Sequence, residues 1–148
     1  FTYFLDSNAE KELTAEQLAN KLGTYTYKCY ANLSISQPSS ADINDYKMPP
    51  VEEWLASFAN AEFVVTDSFH GCVFSIIFRK PFIVFSNKER GATRFYSLLN
   101  LSGCEDRLVE EKAILSEVDI KNILDKGDIV FLDNQSSKNY LRAFDNEL

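Results

Sequence analysis

The chain has 148 residues, 45% of them apolar and 25% charged, which is the make-up of a single soluble globular domain with a full core and excludes a largely disordered chain. A net charge of −7 argues against a general affinity for nucleic acid or acidic membranes, because phosphate binding needs a basic field or stripe. Cys29, Cys72 and Cys104 are odd in number and form no CxxC pair, so neither a disulfide framework nor a zinc site is indicated, and a reducing cytoplasm suits them.

The first strand is expected over residues 2–5. Ser7-x-x-Glu10 then offers a capping box for a helix running to Leu22, with Gly23 placed to end it. Residues 25–30 are aromatic and β-branched, as a second strand should be, whereas 32–47 show neither period and read as a long loop. Pro49-Pro50 opens a helix in which Val51, Trp54, Leu55, Phe58 and Ala59 make one apolar face, so Trp54 should be largely buried. No apolar run reaches the roughly 18 residues of a membrane span, and nothing at the start resembles a signal peptide. The chain opens on FTYFLD without an initiator Met, so we expect a piece of a longer protein whose partner domain is out of view.

The stretch FVVTDSFHGCVFSIIFRKPFIVFSNKERGATR, residues 63–94, organises the rest. It reads as a buried strand over 63–66, a polar turn, an apolar helix over 71–78 buried nearly all round, and a strand over 82–85. The loop NKERG then opens a further helix. Beyond it, helices are expected near 119–125 and 133–147. Strands alternating with helices imply right-handed crossovers, hence an α/β fold with a Rossmann-like parallel sheet and helices on both faces, in the order 2-1-3-4. On that order the ends at Asp6 and Asp67 flank the switch-point crevice, where ligands bind such sheets.

His70 is the sole histidine and sits at the mouth of a helix beside Gly71, which leaves room for a ligand to approach the backbone. It could shuttle a proton near neutral pH, or serve as a capping or buried structural imidazole; position alone leaves both open. Asp67 and Ser68 suit a binding turn, yet both are also good N-cap residues. Arg90 and Arg94 are candidate guanidinium clamps for carboxylate or phosphate, whereas Arg79 and Lys80 at a helix C-terminus read as structural. No GxGxxG, P-loop, GxSxG elbow or metal-ligand pattern is present, so dinucleotide binding, two-metal phosphoryl transfer and serine hydrolysis lack their usual support.

Taken together, VEEWLASFANAEFVVTDSFHGCVFSIIFRKPFIVF, RGATRFYSLLNLSG and EDRLVE resemble the polysaccharide pyruvyl transferase family. The resemblance is strong over the middle half of the chain, and its most specific pieces are TDSFHG, Lys80-Pro81-Phe82, and Arg90-Gly91 followed by Arg94. It implies the C-terminal, donor-binding half of an enzyme with two Rossmann-like halves, similar to a GT-B glycosyltransferase. Such an enzyme moves a pyruvyl group from phosphoenolpyruvate onto sugar hydroxyls as a ketal. The acceptor would be a sugar or lipid-linked oligosaccharide of a bacterial exopolysaccharide, met in the cytoplasm or at the inner membrane face. Some members carry an arginine two residues before the histidine, where this chain has Ser68, so one ligand for the donor's anionic groups is absent or supplied elsewhere.

The resemblance implies His70 as acid or base, with Asp67, Ser68, Phe69, Gly71, Arg90, Gly91 and Arg94 around the donor and no cofactor or metal. The same fold could instead hold a nucleotide sugar, as half of a glycosyltransferase. A non-catalytic carbohydrate-binding module is the third reading, although most of its aromatic residues fall at core positions.

Overall fold

A computed structural model describes residues 1–29, 49–86, 92–110 and 115–125. Its architecture follows from the two-residue period of the central strands. Along β2 (Val64–Thr66) and β3 (Phe82–Ser86) every residue is buried, so both faces of the sheet must be covered. Val65, Ile83 and Phe85 point into one core with Phe4, Leu18, Ile120 and Ile123, while Val64, Phe82 and Val84 point into a second with Phe58, Cys72, Phe95 and Leu99. Helices α1 (Ala9–Leu22) and α5 (Glu117–Asp125) supply the first layer; α2 (Val51–Asn60), α3 (Phe69–Ile77) and α4 (Ala92–Ser102) supply the second.

The sheet is parallel throughout, in the order β1-β2-β3-β4, with β1 at Thr2–Tyr3 and β4 at Leu108–Glu110. Thr2 pairs with Val65 on one side and forms a lone parallel bridge to Lys28 on the other. The segment expected as the second strand thus lies beside β1, where the order 2-1-3-4 puts it, but it contributes one bridge and no strand among the described residues. The chain leaves β1 in one direction through α1 and returns on the other side through α2, so β1 and β2 flank the switch point. β4 was not expected as a strand; Leu108 and Val109 pair with Val84 and Phe85 after a 3₁₀ turn at Glu105–Arg107.

Several local expectations shift. The N-cap of α1 is Asn8, whose side chain accepts from the Lys11 N–H, and Ser7 instead donates to Glu12. Gly23 ends α1 at φ 69°, where Thr24 N donates to Ala19 O and Gly23 N to Asn20 O, the paired bonds of a Schellman stop. Helix α3 begins two residues earlier than expected, and one side of it is open: Ile77 is 60% exposed, which corrects the expectation of burial nearly all round. Trp54 is half-buried rather than largely buried, packed edge-on against Tyr3, Phe58 and Phe74. No described helix is long and apolar enough to cross a membrane. The loop expected at 32–47, the NKERG loop and the helix expected at 133–147 lie outside the described residues.

Candidate active site at the carboxyl edge of the sheet

Strand β2 ends at Thr66 and α3 begins at Phe69, so two residues must turn the chain at the sheet edge. Thr66 sets the turn: its Oγ1 donates to Tyr3 O at 2.6 Å and accepts from Ser68 N at 3.0 Å. The helix then descends so close to the strand that a Cβ on Gly71 would collide with Thr66 Oγ1 and lie 3.0 Å from Thr66 Cβ. The close approach that requires glycine here is therefore made by the Thr66 side chain.

Asp67 points inward. Its carboxylate accepts from Leu5 N at 2.6 Å, Asp6 N at 3.1 Å and Lys11 Nζ at 2.8 Å, and the Lys11 and Asp67 side chains are 0% and 1% exposed. Lys11 Nζ also donates to Asp6 O at 2.7 Å. Asp6 is thus held at both its N–H and its C=O, and the exits of β1 and β2 are tied together by one buried ion pair. Burial, and after it the charge of Asp67, push the Tyr3 phenol above its ordinary range.

Beyond Asp67 the chain turns into α3. Ser68 takes the N-cap position without a side-chain cap bond, and no acidic residue occupies the first turn of α3. The first-turn N–H groups, which have no partner within the helix, are therefore uncapped by either. His70 is exposed and meets the Phe69 ring edge-on, with ring centroids 6.1 Å apart. Arg94, in the first turn of α4, lays its guanidinium over the same Phe69 ring at 5.1 Å, and Phe95 supports that ring from 5.9 Å. An imidazole and a guanidinium therefore share one aromatic neighbour beside the start of α3. On the inner side of α3, burial and next the neighbouring Cys104 push the Cys72 thiol up to about 12, so it stays neutral.

Of the residues singled out from sequence, the structure brings Phe69, His70 and Arg94 together at the surface, and sets Asp67, Ser68 and Gly71 beneath them as the buried support. Arg90 and Gly91 lie outside the described residues. Sequence reasoning missed Lys11 and Thr66. A signal for Lys11 existed: a lysine in the first turn of a helix opposes the macrodipole, so a cation kept there asks for an anion partner.

Among the described residues no group of three or more His, Cys, Asp or Glu is placed to hold a metal ion. A cavity of about 510 Å³ opens at the amino ends of β1 and β2, between Leu18, Leu22, Tyr25, Ala56 and Phe63. Its described lining includes Glu53 and Glu62 and none of the residues singled out from sequence.

A family model described as polysaccharide pyruvyl transferase matches residues 1–89, more than half of the chain. The chain belongs to the polysaccharide pyruvyl transferase family. The matched stretch takes in the first 48 residues, where the resemblance read from sequence was one of pattern alone, and runs through β3. For this pyruvyl transferase family member it includes the whole turn from Thr66 to Gly71 and both ends of the Lys11–Asp67 pair, and stops short of Arg90 and Arg94. No curated protein and no solved structure matches the chain.

Proposed function

We propose that this chain is the donor-binding half of an enzyme that transfers a pyruvyl group from phosphoenolpyruvate to sugar hydroxyls as a ketal. A resemblance to the C-terminal half of a GT-B-type transferase goes with that reading. The observation that carries it is the grouping of His70, Phe69 and Arg94 at the start of α3, beside a turn that lies within the family match.

The chemistry needs few parts. Protonation of the donor methylene leaves positive charge at C2, a sugar hydroxyl oxygen adds there, and phosphate leaves with the electrons of the C2–O bond. A second hydroxyl of the acceptor closes the ketal, and of the two hydroxyl protons one balances the new methyl group and the other the released phosphate. In this reading His70 gives and regains the proton at the sheet edge. The first-turn N–H groups of α3 and the Arg94 guanidinium supply donors for carboxylate and phosphate, with Arg90 a further candidate. Ser68 and Gly71 shape the turn, and Phe69 orients both His70 and Arg94. The sugar or lipid-linked acceptor would be met at the inner membrane face, across a cleft completed by a second half.

Calorimetric titration with phosphoenolpyruvate, a nucleotide sugar and a free oligosaccharide tests the donor. Heat with phosphoenolpyruvate alone is expected; saturable binding of the nucleotide sugar without it would replace this reading by the glycosyltransferase one. In the full-length enzyme His70→Asn should lower kcat by roughly 10²–10⁴-fold with donor KM little changed. Arg94→Ala should instead raise donor KM by about 10–100-fold, the equivalent of one lost charge-assisted hydrogen bond. Near-normal kcat in folded His70→Asn would remove the imidazole from the mechanism.

A further inference from the structure

We infer that Lys11 is a positioning residue for this site, acting through Asp67 to fix the loop after β1 against the turn that presents His70; the inference rests on the reading of His70 given above. Three observations converge on it. Lys11 is completely buried although it stands in the first turn of α1, flanked by Glu10 and Glu12, where the helix dipole disfavours a cation. Its ammonium is shared between Asp67 Oδ2 and Asp6 O, so it bridges two loops that follow different strands. Those strands, β1 and β2, flank the switch point, and Asp67 lies three residues before His70 on a turn with no slack: Thr66 holds Ser68 N, and Gly71 abuts Thr66.

A buried ion pair contributes little net stability compared with a well-packed apolar pair of similar volume, because desolvation offsets the attraction. Its geometry is the more specific consequence. The Asp67 carboxylate meets N–H groups of Leu5 and Asp6, and Lys11 closes the ring by taking the Asp6 carbonyl. With that ring intact, the β1 exit and the start of α3 move as one body, which holds the imidazole at a fixed place over the crevice.

His70 is the sole histidine of this chain, so its imidazole ¹H–¹³C signals are assigned without ambiguity and report its surroundings without any substrate. The decisive variant is the double substitution Lys11→Met with Asp67→Asn, which removes both charges at nearly constant volume. Its expected behaviour is a melting temperature closer to wild type than that of Lys11→Met alone, displaced or broadened His70 signals, and kcat at least tenfold down in the full-length enzyme. Recovery of wild-type His70 signals and kcat together with stability would overturn the inference, because the pair would then be structural support only. Should the double variant fail to fold, Lys11→Arg carries the same test, since it keeps the charge and changes the reach. Displaced His70 signals and lowered kcat at an unchanged melting temperature support positioning, and wild-type values of both overturn it. If the wild-type enzyme transfers no pyruvyl group, the functional reading fails and the His70 signals alone judge the role of Lys11.

Discussion

The two halves of the turn after β2 are built for opposite purposes. In the first half, Thr66, Asp67 and Ser68 are at most 3% exposed, and Thr66 and Asp67 spend their polar atoms on neighbouring backbone and on Lys11. In the second half, His70 is exposed and the half-buried Phe69 ring meets both it and Arg94 from the next helix. One short motif thus divides into residues that fix the crevice and residues that line it. A carboxylate in such a motif is not on that account a ligand for substrate.

The largest stability effect should come from the buried half. Asp67→Ala leaves the Lys11 ammonium buried without its counter-charge, and a loss of about 3–5 kcal/mol in urea unfolding is expected. That is a large part of the roughly 5–15 kcal/mol available to a domain. A loss below about 1 kcal/mol would mean that water or another group replaces the carboxylate, and the contrast between the two halves would dissolve. Next in size is Gly71→Ala, whose Cβ must push against Thr66; overpacking of this kind costs about 1–3 kcal/mol. Adding Thr66→Ala to Gly71→Ala should return part of it despite the lost Tyr3 hydrogen bond, and no return would place the strain elsewhere. The smallest effect belongs to the outer half: His70→Asn, at an exposed site, should change stability by no more than about 0.5 kcal/mol while it abolishes most turnover. A large drop in melting temperature for that variant would make His70 part of the support.

Much of this was legible in the chain alone. The periods of the apolar residues gave α1, α2, β2 and β3, because burial on two faces of a strand and on one stripe of a helix leaves a pattern that survives any tertiary context. The neighbours β1, β2 and β3 stand as the expected order has them, β4 lay outside that order, and the family motif marked the turn. Local competition was harder to read: Ser7 and Asn8 both suit an N-cap, and the one that wins is decided by which side chain meets the Lys11 N–H. The aromatic segment over 25–30 has strand composition, but pairing needs a neighbour in register, and among the described residues it meets β1 through the Thr2–Lys28 bridge and the Tyr27 carbonyl, which accepts from Thr2 N. The division of labour inside TDSFHG depended wholly on tertiary structure. Asp67 and His70 are both polar residues at a strand end, and composition cannot say which turns inward. That choice is made by a cation brought from 56 residues away and by the N–H groups of Leu5 and Asp6 at the end of β1, whose combined donors draw the carboxylate into the interior and leave the imidazole at the edge.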